Sequence, residues 1–171
     1  MPPSIAVVGA SRQSDTIGWQ ILDNLVRSGF HGPIYPVNPN AESIHSIKSY
    51  HSVSDIQGPV DLAVIVVRKQ FVLEVAEACG RKGVKGLVVI TAGFAEIGGD
   101  GIEREHQLLE IVRRHGMRMV GPNCMGVVDF TTRRFIEPTF GNSGDHRMDG
   151  IFIAGGPPFV ARRDAAKLSL I

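Results

Sequence analysis

The chain has 171 residues, enough for one domain with a packed core and some additional chain. Hydrophobic residues make up 43% and charged residues 20%, which excludes a disordered chain, and a net charge of +1 gives no electrostatic reason to expect nucleic acid or a membrane surface. The two cysteines, Cys79 and Cys124, build no disulfide framework or zinc spacing, no apolar run reaches the roughly 20 residues of a membrane span, and Met1-Pro2-Pro3-Ser4 is not a signal peptide, so a cytoplasmic protein is expected.

The elements follow in alternation. Ile5-Ala6-Val7-Val8, closed by Gly9, is a short continuous apolar run and predicts a strand buried on both faces. Ile17, Ile21, Leu22, Leu25 and Val26 recur at helical spacing and are expected to face inward, with Gly29 behind the last turn. Ile34-Tyr35-Pro36-Val37 predicts a second strand, at an edge because Pro36 lacks a ladder donor. Asn38-Pro39-Asn40 turns the chain. Residues 41–59 are less regular and contain a short helical turn and an ordered loop around Ile47–Tyr50.

Residues 62–67 predict the clearest buried strand. A helix follows with Phe71, Val72, Val75, Ala76 and Cys79 inward, ending near Gly80 or Gly83. Gly86–Ile90 predicts a fourth strand. Residues 102–115 predict a long helix with Ile102, Leu108, Leu109 and Val112 inward, and with Glu103-Arg104-Glu105 and Arg113-Arg114 on a solvated face. Arg118–Val120 predicts a fifth strand. This alternation predicts an α/β, Rossmann-like, doubly wound and mainly parallel sheet of about five or six strands with helices on both faces. Ligands of such sheets bind beyond the carboxyl ends of the strands, where strand order reverses.

The first such loop reads Gly9-Ala10-Ser11-Arg12-Gln13-Ser14-Asp15-Thr16-Ile17-Gly18. It offers hydroxyl donors, one cation and the free N–H groups of a helix start, which is what a phosphate requires. The same residues also serve a plain strand-to-helix turn with a capping hydroxyl. The dinucleotide fingerprint needs a second glycine two residues after the first; Ser11 stands there, and Asn38-Pro39 replaces the acid that would hold a ribose. Both departures weaken the rival reading of an NAD(P)-binding oxidoreductase or redox sensor. Thr91-Ala92-Gly93-Phe94-Ala95-Glu96 permits close backbone approach to a ligand. Gly121-Pro122-Asn123-Cys124-Met125-Gly126 specifies a fixed irregular path. Cys124 has no neighbouring base and reads as a small packed residue, and Cys79 as core. Most of the six histidines are expected at solvated positions, and no spacing suggests a metal site.

Read together, Ser4–Ser11, Asn24-Leu25, Gly29–Pro39, Asp61–Val64, Ile90–Glu96 and Gly121–Val127 resemble the N-terminal CoA-binding domain of the NDP-forming acyl-CoA synthetases. Those enzymes are relatives of the succinyl-CoA synthetase alpha subunit, and the same domain opens certain bacterial protein lysine acetyltransferases. The resemblance covers about residues 4–128. It implies that Gly9, Ala10, Ser11, Arg12, Thr16 and Gly18 hold the phosphates of coenzyme A, and that Val37, Asn38 and Pro39 line its nucleotide part. It also implies that Val67, Arg68, Thr91 and Ala92 flank the pantetheine, with Asn123 and Cys124 near the thiol end. Arg68 departs from the family pattern, where a proline is usual, so the resemblance implies no contact by its side chain.

Catalysis in that family needs a phosphohistidine in a following domain and an ATP-grasp domain, here expected on a partner domain or subunit. Residues 1–129 are thus read as the CoA-binding domain. Residues 130–171 are read as an irregular extension, a truncated or frame-altered start of a second domain, since no Ser-Gln-Ser-Gly turn follows Ile151-Phe152-Ile153-Ala154. The expected function is a CoA or acyl-CoA binding module of an NDP-forming acyl-CoA synthetase or a CoA-dependent acetyltransferase, not catalytic alone. A free-standing CoA-sensing regulator is a further alternative.

Overall fold

A computed structural model describes residues 2–129 and 151–155. Five parallel strands form the central sheet: β1 (Ile5–Val8), β2 (Ile34–Val37), β5 (Leu62–Ile65), β6 (Gly86–Val89) and β7 (Arg118–Val120), in the order β2-β1-β5-β6-β7. The chain leaves β1 in one direction to build β2, then returns across β1 to build β5, β6 and β7. Strand order therefore reverses beside β1, between β1 and β5. Opposite directions of travel put the crossing segments on opposite faces when every crossover has the same hand. Accordingly α1 (Ile17–Arg27) covers one face, and α2 (Val72–Lys82) and α3 (Asp100–Arg114) cover the other.

The apolar strands alternate between these two cores. Ile5, Val7, Val64 and Val88 pack with Ile21, Leu22 and Leu25 of α1. Ala6, Val8, Ala63, Ile65, Leu87 and Val89 pack with Val72, Ala76 and Cys79 of α2 and Leu108, Ile111 and Val112 of α3. Burying each large aliphatic side chain contributes about 2 kcal/mol. β2 lies at the edge, as Pro36 requires.

Residues 41–59 contain a hairpin that the sequence does not announce. β3 (Ser43–Ile44) and β4 (Ile47–Lys48) pair antiparallel around His45 and Ser46, both with positive φ, at 52° and 61°. His45 is half-buried rather than solvated: its ring stacks on Trp19 of α1 at 4.8 Å, and Nδ1 lies 4.0 Å from Asp23. A 3-10 turn at Val53–Asp55 then brings Val53 and Ile56 into the α2 core.

Four residues expected to face inward do not. Ile17 and Val26 lie at the ends of α1, Phe71 belongs to a 3-10 turn preceding α2, and Ile102 falls in the first turn of α3; all four are exposed. Leu109 is half-buried, and Ile111 takes the buried position instead. After β7 the chain continues into β8 (Cys124–Asp129), which pairs antiparallel with β9 (Ile151–Gly155). A strand thus lies within the stretch read as irregular; residues 130–150 and 156–171, including His146, are outside the described residues. Among the described residues, no helix is long and apolar enough to cross a membrane.

Polar ties hold the amino edge. The buried Ser4 hydroxyl donates to Asp61 at 2.7 Å and accepts from the Asp61 N–H at 3.0 Å, while Lys85 donates to the other carboxylate oxygen at 2.7 Å. Replacing Ser4 with Ala leaves the Asp61 N–H without that acceptor. It is expected to lower unfolding free energy by about 1–2 kcal/mol in urea titration; an unchanged midpoint would contradict this.

Between α2 and α3, Glu77 meets His115 at 3.1 Å and Arg114 at 2.9 Å. The hydrogen bond with His115, aided by Arg114 and Arg81 and opposed by partial burial, holds the Glu77 carboxyl below its ordinary value of 4.5. A carboxyl depressed by folding stabilises above its unfolded value and loses that contribution as pH falls through its folded value. The stability difference between wild type and Glu77→Gln should therefore be full well above pH 4.5 and close below it. A difference independent of pH would contradict this.

Candidate functional site at the carboxyl edge of the sheet

Every loop singled out in the sequence meets at one edge, because parallel strands all end there. A seam of hydrogen bonds joins successive strand exits. Gly9 N–H donates to Val37 O at 3.0 Å, Val66 N–H to Val8 O at 2.8 Å, and Ile90 N–H to Ile65 O at 3.0 Å. The Thr91 hydroxyl donates to Val67 O at 2.7 Å, and Asn123 N–H donates to Thr91 O at 3.0 Å. Asn38 spends its carboxamide within the protein: Nδ2 donates to Ala10 O at 2.7 Å, and Oδ1 accepts from Asn40 N–H at 2.8 Å. It ties the β2 exit to the β1 exit, at the position where a dinucleotide site carries its ribose-binding acid.

The Gly9–Gly18 turn sits at the reversal of strand order. Gly9 has φ +95°, and a Cβ there would lie 2.6 Å from Val66 O. A Cβ on Gly18 would run into the carbonyl oxygen of Gly9. The two glycines thus let three pieces of backbone meet: the β1 exit, the β5 exit and the first turn of α1. Between them the turn is braced internally. Ser11 Oγ accepts from Gln13 N–H at 3.1 Å, and Thr16 Oγ1 donates to Gln13 O at 2.7 Å. Thr16 is also the N-cap of α1, accepting from Trp19 N–H at 3.4 Å. No acidic residue occupies the first turn of α1, so its positive end is not neutralised from within the helix. Arg12 is exposed.

The remaining candidates divide by exposure. Pro39, Arg68 and Ala92 are exposed, while Thr16, Asn38, Val67, Thr91 and Asn123 are half-buried. Ala10, Gly18, Val37 and Cys124 are buried, so at those positions the backbone is what the edge can offer. Cys124 Sγ donates to Val89 O at 3.3 Å, and burial pushes its thiol above the usual range. Cys79 is pushed up to about 12 by the same cause. Both thiols are therefore protonated near neutrality and poor nucleophiles. Gly121 has φ +95° and Asn123 φ +54°, and the Gly121–Pro122 bond is cis, so the first half of the expected irregular path is present, while Cys124 to Gly126 run in β8.

The clamp on the Thr91–Ile97 loop is absent from the sequence reading. Glu96 accepts from the N–H groups of Gly93 and Phe94. Burial raises its carboxyl, but those N–H groups and Lys69 outweigh burial and hold it below the ordinary range. From α3, Arg104 donates to Gly93 O at 2.6 Å, and Glu105 accepts from Ala95 N–H at 3.0 Å. Residues read as a solvated helix face thus fix a site loop. Glu96 three residues after Gly93 was the available local sign, since a carboxylate at that spacing reaches back to free N–H groups. Among the described residues, no cluster of three or more His, Cys, Asp or Glu could hold a metal ion.

Comparison with known proteins adds the family. The model of a CoA binding domain matches residues 3–129. The chain is 47% identical over 139 residues to the alpha subunit of acetate–CoA ligase (ADP-forming) II from Pyrococcus furiosus, covering 81% of this chain and 30% of that protein. It is 41% identical over 139 residues to 4-hydroxybutyrate–CoA ligase (ADP-forming) from Nitrosopumilus maritimus, covering 81% of this chain and 20% of that protein. A solved structure of dinucleotide-forming acetyl-coenzyme A synthetase 1 from Ca. Korarchaeum cryptofilum, in complex with phosphate and ADP, superposes with a TM-score of 0.77 at 45% identity. That match covers 82% of this chain and 30% of that one. The chain therefore spans under a third of the length of these relatives.

The crossing of β1, α1 and the β5 exit predicts its own sensitivity. Alanine at position 18 should favour the helix by about 1 kcal/mol on propensity alone. Here Gly18→Ala should instead destabilise by about 1–3 kcal/mol, because its methyl group meets the Gly9 carbonyl. Denaturant unfolding checks the sign; a stabilised Gly18→Ala would show that the crossing is not tight.

Proposed function

The chain belongs to the CoA-binding domain family, and from that premise we propose that coenzyme A lies across the carboxyl edge with its phosphates on the Gly9–Gly18 turn. One observation supports this most: the turn stands where strand order reverses, with the capped positive end of α1 and the exposed Arg12 beside it. The N–H groups around Gly9, Ala10 and Ser11, the Thr16 cap and the Arg12 guanidinium receive the phosphates. Gly18 acts by admitting the helix close to the turn. Val37, Asn38 and Pro39 form the wall for the nucleotide part, through backbone and ring surfaces since the Asn38 carboxamide is already engaged. Val67, the Arg68 backbone, Thr91 and Ala92 flank the pantetheine. Asn123 and Cys124 close the thiol end, Cys124 as wall rather than nucleophile.

The domain serves an ADP-forming acyl-CoA synthetase, in which acyl-CoA, nucleoside diphosphate and phosphate give the acid, CoA and nucleoside triphosphate. A partner domain or subunit with a phosphohistidine and an ATP-grasp fold supplies the phosphoryl chemistry. This chain contributes the CoA pocket and is not catalytic alone. Similarity to the alpha subunit of an acetate–CoA ligase (ADP-forming) supports that division of labour.

Thermal unfolding with CoA, acetyl-CoA, NAD and NADPH side by side tests the reading. Ligand at about 100 times its Kd adds roughly 2.7 kcal/mol of stability if it binds only the native state. CoA and acetyl-CoA should raise Tm and the dinucleotides should not; a response to NAD alone would overturn the assignment. Arg12→Ala and Ser11→Ala should keep the fold and reduce the response to CoA, with Arg12→Ala weakening affinity roughly tenfold.

A further inference from the structure

Cations in the described part of the chain are mostly engaged. Arg27, Arg81, Arg114 and Lys85 pair with carboxylates, and Arg104 bonds the Gly93 carbonyl. Arg113 and Arg118 make no such pair, but they lie at the end of α3 and the start of β7, at the amino edge of the sheet. At the carboxyl edge, two exposed guanidinium groups have no ion pair or hydrogen bond among the described residues: Arg12 and Arg68. They sit on loops that abut, because Gly9 packs against Val66 and Val67.

The backbone at position 68 makes the arginine harder to explain as structure. Its φ is −59° and its ψ 144°, the values a proline adopts. Its carbonyl accepts from Phe71 N–H at 2.9 Å, which a proline could equally do, and among the described residues its own N–H donates no backbone hydrogen bond. The fold thus asks nothing of this position that a proline would not supply. What arginine adds is a long cationic fork, at the strand-order reversal, beside a turn already suited to phosphate. A guanidinium fork matches the oxygens of a phosphate in paired hydrogen bonds.

We propose that Arg68 is a second phosphate anchor, acting with Arg12 on the phosphate groups of the bound coenzyme. This deepens the CoA reading and rests on it. The shared chemistry is a phosphate ester; CoA carries it as a diphosphate and as a 3′-phosphate, and dephospho-CoA lacks the latter.

Isothermal titration of the whole chain with CoA and with dephospho-CoA tests the proposal, using wild type, Arg68→Pro, Arg68→Gln and Arg68→Lys. Arg68→Pro removes the charge while keeping the backbone angle, so its Tm should equal or exceed that of wild type. Both Arg68→Pro and Arg68→Gln should weaken CoA binding roughly tenfold, lower the dependence of affinity on salt, and be partly rescued by Arg68→Lys. Losses of equal size with both ligands place the guanidinium on the diphosphate; a loss with CoA alone places it on the 3′-phosphate. Either result supports the anchor. Arg68→Pro and Arg68→Gln chains that bind both ligands as tightly as wild type overturn it. A wild-type chain that binds no CoA instead sinks the underlying reading, so the two failures are distinguishable.

Discussion

The site depends on one close contact: the backbone at Gly9 against the backbone at Val66, with the first turn of α1 pressed onto the same point. A side chain at position 9 would meet Val66 O, and one at position 18 would meet Gly9 O. Because both are glycines, β1, β5 and α1 converge where strand order reverses. That convergence does three things at once. It lets α1 bury Ile21, Leu22 and Leu25 on β1 and β5. It aims the N-terminus of α1 at the sheet edge. It brings the loop carrying Arg12 beside the loop carrying Arg68.

Around that point the edge is stiffened before any ligand arrives. The strand exits are stitched to one another by Asn38, Thr91 and Asn123. The Thr91–Ile97 loop is held from α3 by Arg104 and Glu105 and from within by Glu96. A ligand then meets a surface whose polar groups are largely fixed, which reduces the ordering cost of binding. The same stitching separates the residues of the edge into two kinds. Asn38, Cys124 and Gly18 offer shape and backbone, whereas Arg12 and Arg68 are exposed cations with no ion pair among the described residues.

Much of this was legible in the sequence where local physics decides. Short apolar runs marked the parallel strands, the first closed by Gly9, and Thr16 with Ile21, Leu22 and Leu25 marked α1. The irregular path through Gly121 to Asn123 followed from its composition, whereas Cys124 to Gly126 already belong to β8. What stayed hidden depends on tertiary contacts or on very short elements. The β3–β4 hairpin turns on His45-Ser46 rather than an Asn-Gly pair, and its strands have two residues each, too few for a period. Arg104 and Glu105 looked like solvent-facing charge because their partners are backbone groups of a separate loop. Ile17, Val26, Phe71 and Ile102 fit an apolar period but lie at or outside helix ends, where the covering neighbour is missing.

Coenzyme A on the carboxyl edge, as proposed, would perturb the backbone amides around the Gly9 crossing. Mapping amide NMR shifts of the labelled chain on titration with CoA tests this most directly. Perturbations are expected to concentrate in Gly9–Gly18, Val37–Asn38, Val66–Lys69 and Thr91–Ala92, and to spare the outer faces of α2 and α3. Perturbations centred on the α2–α3 surface, or none in the Gly9–Gly18 turn at saturating CoA, would contradict it.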